Sequence, residues 1–384
     1  MNTGRDLPKK VDTVVIGGGV LGCAAAYYLA KEGLEVLLLE QREIASGASG
    51  ANLGQTSVLD READAHLALT LKSLELYPGL SDELGVDLEY EVTGGSYVLT
   101  TEAQLETAKG LLARQARRGV AGSILGPREA PAVEPFISPD GLVGLAYCPL
   151  EGRLNPLRVT LGFAAGARKN GATIAEHTPV RGFKLDGQRA IAVLTDLGAV
   201  RARTFVNAGG AWTGSIGRLA GLDVPVRFHR GTAMVTEPVP PTIRGPVVGA
   251  GFLTPATARE TRRVGLALNQ AARGSVILGQ YTEECQDHRA ALDNAGLKQV
   301  AERVLRHFPG LAKLNIVRAW AAVTPYSDDG LPFFGFRHEV DNLLFCGSFK
   351  GAFTTAPAVG RMVADLLVRG RTGHLVGGFS PERS

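Results

Sequence analysis

The stretch DTVVIGGGVLGCAAAYYLAKEGLEVLLLE, Asp12 to Glu40, decides how the rest of the chain is read. Asp12 to Ile16 is a short apolar run rich in β-branched residues, Val20 to Lys31 is rich in Ala and Leu at helical spacing, and Glu35 to Glu40 is a second buried-strand run. Strand, helix and strand within about thirty residues make a βαβ unit. Gly17-Gly18-Gly19-Val20-Leu21-Gly22 satisfies G-x-G-x-x-G at the point where strand gives way to helix. Gly17 permits the tight turn, Gly19 lets a pyrophosphate reach N–H groups at the helix N-terminus, and Gly22 lets helix and sheet pack closely. Glu40, ending the second strand, is placed to accept hydrogen bonds from an adenosine ribose. The motif by itself does not separate NAD from FAD.

The chain has 384 residues, 45% of them hydrophobic, enough for one large or two interleaved domains with substantial cores. Lys and Arg number 41 against 38 Asp and Glu, and the formal charge of +3 is spread along the chain, so nothing supports nucleic-acid binding. Cys23, Cys148, Cys285 and Cys346 lie far apart, leaving no C-x-x-C spacing for zinc or an iron–sulfur cluster. No metal is expected, and the thiols read as reduced, in a cytoplasmic protein. Lys9-Lys10 ahead of the nearly uncharged Val11 to Ala30, which contains Val20-Leu21-Gly22-Cys23, mimics a lipoprotein signal. Asp12, the three glycines and the continuation to Glu40 fit the βαβ unit instead, and no other segment could span a bilayer.

Farther along, Asp60 to Leu80 and Glu102 to Arg118 read as helices, and Tyr90 to Thr100 as a strand or hairpin interrupted at Gly94-Gly95. Pro156 opens a helix to about Lys169, punctuated by Asn170-Gly171, and short strands follow around Thr173, Val180, Ile191 and Phe205. Val224 to Leu278 alternates apolar and polar residues as a strand-rich insertion, with a helix after it from Asn294 to His307. Leu343 to Cys346, then Gly347 to Leu367, repeats the strand, glycine-rich turn, helix grammar of the N-terminus. The expected fold class is therefore α/β. A Rossmann-like dinucleotide domain is built from the discontinuous segments 1–80, 145–222 and 316–384, and an α+β substrate domain with an antiparallel sheet is inserted as 81–144 and 223–315.

Ser46-Gly47-Ala48-Ser49-Gly50-Ala51-Asn52-Leu53-Gly54 is a loop of small residues that leaves backbone amides free to run along a cofactor. With GGGVLG and Glu40, this SGASGANLG loop, EGRLNP at Glu151 to Pro156, FVNAGGAWT at Phe205 to Thr213, WAAVTPYSDDGLPFFG at Trp320 to Gly335 and GSFKGAFTTAPAVG at Gly347 to Gly360 make a set covering nearly the whole chain. The chain resembles the FAD-dependent D-amino-acid oxidase superfamily, in particular glycine oxidase and the flavin subunits of sarcosine oxidase, opine oxidase and hydrogen cyanide synthase.

That resemblance implies an FAD-dependent oxidoreductase acting on the C–N bond of a secondary amine or amino acid by hydride transfer to flavin N5, with an imine that hydrolyses. It implies that Gly17, Gly19, Val20, Leu21 and Gly22, then Glu40, Gln41 and Arg42, hold the adenosine and pyrophosphate end with Ser49 and Gly50. Val180 holds adenine through its backbone, Ala208, Gly209 and Trp212 flank the pyrophosphate, and Asn52, Leu53, Gly54 and Gln55 lie along the isoalloxazine. Gly347, Lys350, Gly351, Ala352, Phe353 and Thr354 cover the flavin's pyrimidine edge, where the charge of Lys350 suits the reduced ring.

The sequence also departs from the family. Thr324 stands where amino-acid oxidases of this group carry an Arg that clamps the substrate carboxylate, so either another cation takes the carboxylate, with Arg230, Arg273 and Lys350 as candidates, or the substrate is not a simple glycine-like acid. Ala321-Ala322-Val323 replaces the stretch in which related enzymes bond the flavin through cysteine, and no histidine lies near SGASGANLG, so FAD is expected to be non-covalent. Alignment puts Ile277 where those oxidases carry a lysine used with oxygen. Leu268-Asn269-Gln270, Arg273-Gly274 and Val276 to Gly279 look most like the flavin subunits of opine oxidase and sarcosine oxidase, whose partner subunits carry further redox centres, which implies a dehydrogenase-type subunit. Candidate catalytic or pocket residues are Lys350, Thr324, Gln55 and Asn269, with His229 and Tyr281 provisional. A free-standing glycine or D-amino-acid oxidase using O2, an FAD-bearing scaffold subunit and an NAD enzyme are the competing readings.

Overall fold

The computed structural model describes residues 6–253, 262–372 and 378–383. Its first sheet is eight-stranded and gathers the Rossmann elements. The strand Lys10–Ile16 lies between Val36–Leu39 and Gly198–Asn207, parallel to both, with Ile16 opposite Leu39 and Asn207. Val340–Gly347 adds a further parallel strand against Gly198–Asn207, in the register Asn207 to Phe345. The carboxyl ends of these strands therefore open on one side, where such folds place ligands.

The helix Val20–Lys31 is buried on nearly every face because it lies between two others. Its small residues permit that. A Cβ on Gly360, in helix Ala352–Arg369, would lie 2.8 Å from the Ala24 backbone, and one on Gly166, in helix Pro156–Lys169, would lie 2.8 Å from the Tyr27 ring. Asn155 caps helix Pro156–Lys169 by accepting from Arg158 N at 3.2 Å, and Asp293 caps helix Asn294–His307 by accepting from Ala295 N and Gly296 N.

The second sheet, also eight-stranded, includes Ile316–Tyr326, Arg227–Pro238, Ser275–Cys285, Arg262–Gln270, Val247–Gly249, Gly95–Leu99 and Gly144–Cys148. All its pairings are antiparallel except Val247–Gly249 with Gly95–Leu99. Two boundaries expected from sequence shift. Ile316–Tyr326 and Gly144–Cys148 fall in this second sheet, although the segments beginning at 316 and 145 were expected to belong with the Rossmann portion. Trp320, Ala322 and Thr324 of the first of these strands line a cavity from the second sheet. The expected helix from Asp60 to Leu80 is also different: Leu59 and Asp60 form a turn closed by Arg61 N donating to Val58 O, Arg61 and Glu62 are irregular, and helices Asp64–Leu74 and Tyr77–Leu84 follow, the second with Pro78 in its first turn. All four cysteines are free and buried.

Candidate active site

Gly17 ends the first strand in a left-handed conformation (φ 112°), and a side chain there would meet the Ala208 carbonyl oxygen at 2.5 Å. Gly19 caps the helix, whose Val20 N–H donates to Ser49 Oγ at 2.9 Å. Glu40 braces the turn by accepting from Gly18 N at 2.6 Å and from Arg42 N at 2.8 Å. A cavity of 240 Å³ lies beside this turn, bordered by Gly17, Gly19, Glu40, Gln41, Arg42 and Ser49. Val180, Ala208, Gly209 and Trp212 complete its wall, the indole stacked on His288 at 4.6 Å and facing the Arg42 guanidinium at 5.6 Å.

A second cavity, of 310 Å³, is lined by Val20, Leu21, Asn52, Leu53, Gln55 and Thr324 together with Gly347, Lys350, Gly351, Ala352 and Phe353. Gly19, Ala48, Ser49, Ala208 and Gly210 border both cavities, so together they form one slot crossing the helix N-terminus. The residues present fit FAD: a glycine cradle that any side chain would fill, an acid at the far end, and at the near end the buried hydroxyl of Ser348, which has no protein partner.

The remaining expected residues play other parts. Gly22, Gly50, Gly54 and Thr354 do not line the slot. A Cβ on Gly22 would lie 1.9 Å from Gly17 O, one on Gly50 2.3 Å from Ala45 O, and one on Gly54 2.4 Å from Leu154 O, while Thr354 Oγ1 accepts from Ser57 N at 3.1 Å. They shape the walls. Asn269 lies outside the inner cavity and donates from Nδ2 to Leu53 O at 2.9 Å and Gly54 O at 3.2 Å, pinning the small-residue loop to the second sheet. Ile277 faces an outer groove of 1110 Å³, on the other side of that loop. Gln55 donates to Leu268 O at 2.9 Å and Thr324 to His229 O at 3.1 Å, each still bordering the inner cavity.

Of the three alternative cations, Arg230 is fully engaged by Glu283 (2.7 Å), Asp287 (2.9 Å) and the Arg289 carbonyl (2.7 Å), and Arg273 is exposed in a turn. Neither lines the cavity; Lys350 does. His229 and Tyr281 are likewise absent from its wall. Sequence reasoning missed Asp60, Arg61, Tyr97, Gln280 and Tyr326, all of which line it. Asp60-Arg61 was hidden in an expected helix, yet an opposite-charge pair directly after the apolar Val58-Leu59 was the available signal. Burial opposes ionisation of Asp60, but the Arg61 and Lys350 charges beside it win and hold its carboxyl below the usual range.

The chain belongs to the family of FAD dependent oxidoreductases, whose family model matches residues 12–366. Glycine oxidase of Bacillus subtilis (strain 168) is 28% identical over 370 residues, covering 94% of each chain, and hydrogen cyanide synthase subunit HcnC of Pseudomonas protegens is 27% identical, covering 94% of this chain and 93% of the other. Among solved structures, L-proline dehydrogenase from P. horikoshii superposes with a TM-score of 0.90 at 29% identity, covering 98% of both chains. The chain spans 43% of the length of other curated relatives, mitochondrial dehydrogenases of mouse and rat. Among the described residues no helix is long and apolar enough to cross a membrane.

Proposed function

We propose that this chain oxidises the C–N bond of an amino acid or secondary amine in the 310 Å³ cavity, with FAD bound non-covalently along the slot. The observation that carries the reading is the position of Lys350, whose ammonium borders the same cavity as the Asn52-Leu53 backbone and the Gly351 helix start. Bound there, FAD supplies the two-electron acceptor for the C–H bond next to nitrogen. The chain's own residues bind and orient. Glu40, Gln41 and Arg42 take the adenosine end, the Gly17 to Leu21 turn the pyrophosphate, and Asn52, Leu53 and Gln55 with Gly347 to Phe353 the ring. Leu53, Phe252 and Phe353 make apolar wall that excludes water, which sharpens the pull of Lys350 on an anionic group. No side-chain base is required when the amine binds neutral.

A dehydrogenase-type flavin subunit is the favoured form. Lys350 is the sole lysine lining the cavity among the described residues and is held by Asp60, and Ile277 faces the outer groove, so no second lysine is available for oxygen. The similarity to HcnC, a subunit of hydrogen cyanide synthase, supports a partner subunit for this chain. A free-standing oxidase is the second reading, favoured by the full-length match to glycine oxidase. Anaerobic titration of the purified chain with glycine, sarcosine, proline, D-amino acids and opines decides between them. Bleaching of the flavin bands that persists in air supports the dehydrogenase, prompt return of colour supports the oxidase, and a protein without flavin overturns both.

A further inference from the structure

Asp60, Arg61 and Lys350 form a compact charge cluster against the inner cavity, and its parts are unequally exposed. The Arg61 side chain is 0% exposed, Asp60 12% and Lys350 33%. Asp60 divides its carboxylate between the two cations: Oδ1 accepts from Arg61 Nη1 at 2.8 Å, and Oδ2 lies 3.3 Å from Lys350 Nζ. Arg61 Nε donates to Thr70 Oγ1 at 3.2 Å, but its Nη2 has no partner. The opening turn of the last helix seals it in, since a Cβ on Gly351 would lie 1.8 Å from Nη2. Among the described residues Lys350 Nζ otherwise meets only the Asp60 carbonyl at 3.2 Å and the Phe252 carbonyl at 3.5 Å.

Two cations share one carboxylate, so the cluster carries a surplus positive charge. The neighbours adjust this sum without reversing it. His66 adds nothing, because burial and the Arg61 charge push its imidazole down to about 3, where it stays neutral. Glu151 turns Oε1 away to accept from Val58 N, Leu59 N and Tyr97 OH, and burial together with the Asp60 charge opposes its ionisation. A cation that shares its only carboxylate with a second cation and borders a cavity is a mark of a site that receives an anion.

We infer that Arg61 is a positioning residue for recognition of a substrate carboxylate: by holding one oxygen of Asp60 it keeps Lys350 from being neutralised, and Lys350, the exposed member, receives the carboxylate. Arg61 itself touches no ligand. Thr324 borders the same cavity but cannot clamp a carboxylate, which leaves this work to Lys350. The inference rests on the amino-acid reading above.

The test uses the flavin-loaded chain and two variants of opposite expected sign. Acetate and 2-furoate, carboxylates that cannot be oxidised, are titrated while the visible flavin bands are followed. Arg61→Met leaves Asp60 to Lys350 alone and is expected to weaken carboxylate binding about tenfold, while Asp60→Asn frees both cations and is expected to tighten it severalfold. The ratio of kcat/KM for an amino acid to that for its neutral amide should fall in the first and rise in the second. A merely structural role moves neither ratio. Unchanged carboxylate affinity in Asp60→Asn, or loss of affinity in both variants alike, overturns the inference, and the Asn variant decides alone if the Met variant does not fold. Failure of the underlying reading looks different: the unaltered protein would then show no flavin bands or no response to any amine or carboxylate.

Discussion

The carbonyl oxygen of Gly17 occupies the place a side chain on Gly22 would need, 1.9 Å from where its Cβ would fall. The turn and the first helix turn thus touch backbone to backbone, and no rotamer change can relieve an added methyl. Gly22→Ala is expected to destabilise the protein by about 1–3 kcal/mol and to purify with little flavin, measured by thermal melts and by the 450 nm absorbance per chain.

Glu40 spends both carboxylate oxygens on backbone N–H groups of the turn while facing the adenosine cavity. Glu40→Gln removes the charge and one acceptor, so FAD affinity is expected to fall about 10- to 100-fold with the fold retained. Equilibrium dialysis of the apoprotein against FAD checks this; unchanged affinity would remove Glu40 from the ribose site.

Asn269 joins the loop of small residues to the second sheet through its two backbone acceptors. Asn269→Ala is expected to lower stability by about 1–3 kcal/mol and to loosen FAD, with turnover per bound flavin close to that of the unaltered chain. A tenfold drop in turnover per flavin would return Asn269 to the catalytic list.

Glu151 gives a pH dependence of known sign. Its carboxyl is raised from an ordinary 4.5 to about 7 by burial, so the folded chain binds its proton more tightly than the unfolded chain does. The stability this contributes is fully present below pH 4.5 and is lost as pH rises through about 7. Melting temperatures of Glu151→Gln and the unaltered protein should therefore diverge between pH 5 and pH 8, the variant gaining on the order of 3 kcal/mol relative to the unaltered chain. Parallel curves would show that Glu151 keeps its ordinary acidity.

The parts of the fold that were legible in sequence are those fixed by local rules. The βαβ unit from Asp12 to Glu40 and its parallel register, the helix begun by Pro156 and the strand leading to Gly347 follow from short-range pattern and glycine geometry. Strand ownership was not legible. Ile316–Tyr326 and Gly144–Cys148 have ordinary strand composition, and only hydrogen bonds to residues distant in the chain assign them to the second sheet. Most residues expected along the slot border it, because its wall is mostly backbone set by glycine spacing. The part of the wall around Lys350 was less legible because it includes single side chains, Asp60, Arg61, Tyr97 and Gln280, brought together from separate segments. Arg230 shows the same limit: nothing local announces that Glu283 and Asp287 will consume it.

The chain contains two tryptophans, and the slot has one at each end: Trp212 borders the cavity beside Glu40, and Trp320, its Nε1 bonded to Ala51 O at 2.9 Å, borders the cavity beside Lys350. The protein therefore carries an optical gauge for each half of its cofactor. In Trp320→Phe the remaining emission reports the arrival of the adenosine end, in Trp212→Phe that of the ring, and stopped-flow traces of the two would give the order in which the halves of the dinucleotide settle.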